Sequence, residues 1–167
     1  MKIKREALVD VYITEALLIL LRDKEYKDIS ITEICKKAGV TRMSFYRNFE
    51  SKEDILFKKV RNVTDSFVKE SDISYKSDTV SSYFVKLFTH MQQQKELCAA
   101  LNKAGLIYMV KDEFDRVFLN TYKNDYDEYK SLFLAGGIYN VFLFWLINDC
   151  RDDPETLAQR LDGILMK

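Results

Sequence analysis

Apolar residues recur along this chain at three- and four-residue intervals, the period of an amphipathic α-helix. The clearest run is Val80, Tyr83, Phe84, Leu87, Phe88 and Met91, which predicts one face of a helix. Leu56, Val60, Val63 and Phe67 stand at spacings of 4, 3 and 4. They predict a helix that Ser51 caps, that carries Glu53 and Asp54 in its first turn, and that runs to about Glu70. Residues 5–22 are apolar on more than one face (Leu8, Val11, Tyr12, Ala16, Leu17, Leu20, Leu21), so this helix needs cover on several sides. A break from Asp23 to Ser30 separates it from a turn or two of helix at Thr32–Lys37, which Gly39 ends. Thr41 caps a short helix through Asn48. The polar run 71–78 predicts a loop, and shorter helical patterns cover 95–103 and 106–123. Residues 127–149 form a long apolar helix. Asp153 caps a last one, with Pro154 at its first position and Leu157, Leu161, Ile164 and Leu165 on one face. No strand-like alternation or internal repeat competes. The expected class is all-α, with about nine helices.

Composition narrows the picture. The 167 residues are 47% hydrophobic and 31% charged, with one Pro and five Gly, which excludes a disordered or loop-rich all-β chain. Twenty-six basic residues balance twenty-six acidic ones, yet the front is basic: residues 1–60 carry 13 basic and 10 acidic side chains, and the remainder 13 and 16. That split permits a nucleic-acid contact at one end only. Cys35, Cys98 and Cys150 are far apart and odd in number, so a reducing cytoplasm is expected rather than a disulfide framework. Charges from Lys2 to Asp10 interrupt any secretory signal. The apolar stretch Leu132–Ile147 is shorter than the ~20 residues of a membrane span and holds Gly136, Gly137 and Asn140, so a buried helix and no membrane partner are expected.

The informative stretch is 30–52, whose physical logic is that of a helix-turn-helix. Ile31, Ile34 and Cys35 give the first helix an inward face. Ala38 lets two helices approach at a steep angle, Gly39 supplies a positive φ where the first must stop, and Val40 plugs the corner. Phe45 and Phe49, four apart, bury the second helix. Its other face presents Arg42, Met43, Ser44, Tyr46, Arg47 and Asn48, a hydrogen-bonding surface that suits the major groove. Lys52 opens the following helix, where its ammonium and free backbone N–H groups can share a phosphate.

The stretch Ile13–Leu56, about a quarter of the chain, resembles the DNA-binding domain of the TetR family of transcription regulators. The resemblance rests on Ile31/Ile34, Ala38-Gly39-Val40-Thr41, Phe45-Tyr46, Phe49 and Ser51-Lys52-Glu53. Met43 stands where that family often has Gly, and Asn48 where it often has His. The run Phe133–Leu161, with Gly136-Gly137, Trp145 and Asp153-Pro154-Glu155, is similar to a TetR subgroup associated with dihydroxyacetone kinase operons. The resemblance implies that Thr41, Tyr46, Asn48 and Lys52 contact phosphates of operator DNA while Arg42, Met43, Ser44 and Arg47 face base edges. It implies a DNA-binding domain at 1–52 and, joined to it by one continuous helix, an effector-binding and dimerisation domain at 53–167.

For that back half, Tyr83, Phe84, Leu87, Phe88, Met91, Tyr108, Phe114 and Phe118 are the candidate lining of a small-molecule pocket. The expected homodimer uses the last two long helices, with Leu132, Ile138, Tyr139, Phe142, Leu146, Leu157, Leu161 and Leu165 as interface candidates. The single His90 reads as a surface or internally satisfied side chain, and the acidic group Asp125, Asp127 and Glu128 as a solvated face. No phosphate loop, metal cluster or nucleophile motif points to an enzyme or a cofactor. The expected function is a cytoplasmic, ligand-responsive regulator, most simply a repressor released by a small molecule. A co-regulator of the same fold acting through a protein partner is the alternative.

Overall fold

The computed structural model describes residues 2–70, 80–122 and 127–165, with side chains at 8–70, 82–120 and 127–164. The predicted loop at 71–78 and Asp125 lie outside the described residues. The described residues form helices α1 (Lys2–Asp23), α2 (Ile31–Ala38), α3 (Arg42–Asn48), α4 (Lys52–Glu70), α5 (Val80–Gln93), α6 (Lys95–Lys103), α7 (Tyr108–Tyr122), α8 (Glu128–Ile147) and α9 (Pro154–Leu165), and no strand. The break after α1 holds one 3-10 turn, Tyr26–Asp28.

The chain divides into two packed units. The first comprises Met1–Asn62 with Ala100–Ile107. Here α1 packs against α2 and α3, and Ile13, Leu17, Ile29, Ile34, Phe45, Ile55 and Leu56 are almost wholly buried. Each such side chain contributes roughly 1.5–3 kcal/mol of burial. The second unit comprises Val63–Ala99 and Tyr108–Lys167. In it α9 packs on α5 and α7 on α8, around Phe84, Phe88, Trp145, Phe142, Ala158 and Leu161. The division falls inside α4, ten residues past Lys52, rather than at its start.

Helix ends are set by local chemistry. Ser30 and Glu33 form a reciprocal capping box at α2: Glu33 N–H donates to Ser30 Oγ at 3.2 Å, and Ser30 N–H donates to Glu33 Oε2 at 3.0 Å. Gly39 ends α2 at φ 67°. Its N–H donates to Lys36 O, and Val40 N–H to Cys35 O at 3.0 Å, the paired bonds of a Schellman stop. Asp153 caps α9, accepting from Thr156 N–H at 2.8 Å. Beyond α8 two non-glycine residues, Asp149 and Cys150, hold φ values of 57° and 52°, a strained pair. It is held in place by Cys150 N–H on Trp145 O at 2.9 Å and by Trp145 Nε1–H on Asp152 O at 2.8 Å. All three cysteines are buried free thiols, and burial pushes Cys98 up to about 12, so they behave as core side chains.

Candidate nucleic-acid interface and effector cavity

The α2–α3 pair is built to hold α3 still. Thr41 Oγ1 accepts from Ser44 N–H at 3.1 Å, capping α3 at its start. At its end Lys58 Nζ donates to Asn48 O at 2.8 Å and lies 5.1 Å from the centre of the Phe49 ring. Phe45 is fully buried, and the Phe45 and Phe49 rings pack 6.0 Å apart.

With that face committed to the core, the opposite face of α3 meets solvent. Met43 is 73% exposed and Tyr46 52%, and Arg42 and Arg47 are exposed beside them. Arg42 Nη2 donates to Tyr46 Oη at 3.4 Å and its guanidinium lies 5.9 Å from the ring centre, so this pair forms one plate. Asn48 is half-buried, and its Nδ2 donates to Ser44 O at 2.8 Å. Thr41, Arg42, Met43, Tyr46 and Arg47 therefore share an open surface, whereas Asn48 and Ser44 are turned partly into the helix. Lys52 is half-buried too, with its ammonium on backbone carbonyls of the 3-10 turn.

The second unit holds an apolar cavity of about 40 Å³ between α4, α5 and α7. Thr64 and Phe67 of α4, Tyr83, Leu87, His90 and Met91 of α5, and Val110, Phe114, Val117 and Phe118 of α7 line it. His90 Nε2 lies 3.2 Å from Val63 O and its ring 5.2 Å from that of Phe67. A carbonyl only accepts, so Nε2 carries a proton. Beside the cavity, Arg116 of α7 donates to the buried Glu113 at 2.7 Å and to Asp65 of α4 at 2.6 Å, tying α7 to α4.

Two family models match the sequence: bacterial regulatory proteins of the tetR family at residues 13–58, and the transcriptional regulator C-terminal region at 78–167, which alone covers more than half of the chain. The chain belongs to the TetR family. That family is one of transcription regulators, not of enzymes. YxbF, an HTH-type transcriptional regulator of Bacillus subtilis, is 24% identical over 91% of this chain. The chain spans 43% of the length of that curated relative. Among solved structures, a TetR transcriptional regulator from Streptococcus agalactiae superposes with a TM-score of 0.68 at 21% identity, covering 95% of this chain and 94% of that one. FadR of Bacillus subtilis, solved with stearoyl-CoA, gives 0.62 at 17% identity over 93% and 96%. At such identities these two share the fold.

Within this TetR-family chain the cavity gathers Tyr83, Leu87, Met91, Phe114 and Phe118, five of the predicted lining residues. It does not include Phe84, Phe88 or Tyr108. The first two face the other way: Phe84 packs on Phe88, and Phe88 on Trp145 at 5.5 Å. Tyr108 is half-exposed. The stripe on α5 is wide enough to serve two neighbours, and spacing alone does not divide it. Sequence reasoning missed Thr64, Phe67, Val110 and Val117 as lining residues and set His90 aside. The run Leu56, Val60, Val63 and Phe67 held the signal for α4, since Phe67 ends it and Thr64 stands beside Val63 on the same side.

The interface candidates need correction. Ile138, Tyr139, Phe142, Leu146, Leu157 and Leu161 are only 2–8% exposed within the protomer, so they are its core. The side chain of Leu165 lies outside the described residues, and Leu132 alone of the set is open. The apolar residues that do meet solvent are Tyr129, Leu132, Phe133, Phe144 and Ile147 on α8 and Ile164 on α9. On α8 they lie along one side, with Gly137 and Asn140 between them, opposite the buried Ala135, Ile138, Phe142 and Trp145. A helix apolar all round does not reveal from its sequence which side its own protomer takes. By length and composition α8 is also apolar enough to cross a membrane, and here it buries seven residues inside a helical unit.

Proposed function

We propose that the chain is a ligand-responsive transcription regulator that binds operator DNA as a homodimer and acts as a repressor released by a small molecule. The observation that carries this reading is the α3 surface: Arg42, Met43, Tyr46 and Arg47 stand exposed on a short helix whose two ends are capped and whose back is buried. Arginines on a rigid helix can pair with guanine, an exposed Met side chain can meet a thymine methyl, and a Tyr hydroxyl and Thr41 can hold phosphates. The site of action is the cytoplasm, where the DNA is.

The outer stripe of α8 supports dimerisation. It is self-complementary if two copies cross, and an added Cβ at Gly137 would meet nothing within 4 Å, which leaves room for a second helix. The apolar cavity supports the effector site. At about 40 Å³ it is far below the ~300–1,000 Å³ of a typical ligand pocket, so an effector must part α4, α5 and α7 to enter. FadR of Bacillus subtilis, which shares the fold and was solved with stearoyl-CoA, supports a small-molecule role for this unit. Helix α4 runs unbroken from Lys52 to Glu70, burying Ile55, Leu56 and Val60 in the first unit and lining the cavity with Thr64 and Phe67. It is the element through which ligand and DNA would communicate. Within the family, the similarity of Phe133–Leu161 to the dihydroxyacetone kinase operon subgroup supports a place beside that subgroup.

Selection of duplexes from a random pool tests the reading. The expected product is a two-fold symmetric site with half-sites about one or two helical turns apart, ~34–36 Å per turn. Enrichment of no duplex at all would overturn it.

A further inference from the structure

We propose that Lys52 is a positioning residue, a clasp that closes the helix-turn-helix on itself and sets the tilt of α3, and not a phosphate contact. The chain enters α2 through the 3-10 turn and Ile29, and leaves α3 through Phe49 into α4. Lys52 is the first residue of α4. Its ammonium reaches back across this loop to Tyr26 O at 2.6 Å, Ile29 O at 2.9 Å and Lys27 O at 3.5 Å. It also sits over the Tyr26 ring, 4.3 Å from the centroid. Of the three N–H donors of the ammonium, two are held by Tyr26 O and Ile29 O and the third lies nearest Lys27 O, so the ammonium is committed to this loop rather than to a DNA phosphate.

The position itself argues for this role. A cation in the first turn of a helix faces the positive end of the helix dipole, an unfavourable place without compensation. The carbonyls that end the 3-10 turn supply it. Both ends of α2–α3 are thereby fastened to α4: the entry by Lys52, the exit by Lys58 on Asn48 O. A swing of α3 relative to α4 must stretch one of the two.

The DNA arm of the test rests on the DNA-binding reading above, whereas the unfolding arm does not. Wild type, Lys52→Met and Lys52→Arg are compared in urea unfolding, and in titrations against a pool-selected duplex and a shuffled duplex of equal composition at several salt concentrations. The clasp predicts a lower unfolding midpoint for both variants. At a temperature where all three are folded, it predicts about a tenfold loss of affinity for the selected duplex. Affinity for the shuffled duplex should change by no more than about twofold, with an unchanged salt slope, and Arg should not rescue, because a planar fork does not fit a cage of carbonyls. A phosphate contact predicts a uniform loss on both duplexes, a slope reduced by about 0.9 per contact, and rescue by Arg, and that result would overturn the proposal. Unchanged discrimination between the duplexes in folded Lys52→Met would overturn it as well. If wild type selects no duplex, the DNA-binding reading fails, and an unchanged midpoint in Lys52→Met then removes the clasp too.

Discussion

Arg47 and Arg42 differ in freedom although they share one face of α3. Arg42 lies against Tyr46, whereas Arg47 is exposed with no aromatic ring stacked on it among the described residues. Arg47→Ala is therefore expected to cost about 1–3 kcal/mol of operator binding and to relax one base position, read by titration against single-base variants of the selected duplex. Glu33 belongs to the scaffold behind that face. The Lys24 ammonium, first, and then Ser30 hold its carboxyl down to about 2, below the ordinary 4.5. A carboxylate depressed on folding stabilises the fold above its unfolded value. The contribution is complete above about pH 4.5 and disappears as the pH falls through about 2. Acid unfolding should accordingly show a shallower pH dependence across that window in Glu33→Gln than in wild type.

At the scale of elements, the turn between α2 and α3 depends on a left-handed residue. Gly39→Ala is expected to cost about 1–2 kcal/mol in urea unfolding, all of it backbone strain, because no atom lies within 4 Å of the added Cβ. Phe45→Ala, at the fully buried centre of the first unit, should cost about 3–5 kcal/mol by the same measurement. These elements were legible in the sequence because each has a local chemical cause: Ser30, Gly39, Thr41, Ser51 and Asp153 mark ends wherever they are read. The α3 surface was legible for the same reason, as Phe45 and Phe49 bury one side and leave the rest outside. What local pattern does not hold is the choice between two apolar sides. On α8 both sides carry aromatic and aliphatic residues, and the interface candidates Ile138, Tyr139, Phe142 and Leu146 fall on the buried one. On α5 one stripe divides between the cavity and Trp145. The hydrogen bonds of Lys52 were hidden in a related way. Its partners are carbonyls some two dozen residues earlier, and no side-chain pattern announces a backbone acceptor.

For the whole molecule, the proposed dimer rests on the outer side of α8 and the proposed switch on α4. Leu161→Glu would place a charge in the protomer's core and unfold it, so the informative substitution lies on the outer stripe. Phe133→Glu with Phe144→Glu should leave each protomer folded, give monomers in sedimentation at micromolar concentration, and weaken DNA binding. A folded double variant that stays dimeric would move the interface elsewhere. An effector can act only through its difference in affinity between DNA-competent and incompetent shapes, and about 1–3 kcal/mol of coupling changes DNA affinity some 5–150-fold.

The most direct measurement of the central claim, that α3 reads DNA, is an anisotropy titration of the selected duplex with wild type and with a folded Arg42→Ala, Arg47→Ala double variant over a range of salt. Wild-type affinity should fall steeply with salt, as counterions are released from phosphates. The double variant should lose its preference for the selected over a shuffled duplex. A double variant that binds and discriminates like wild type would contradict the claim.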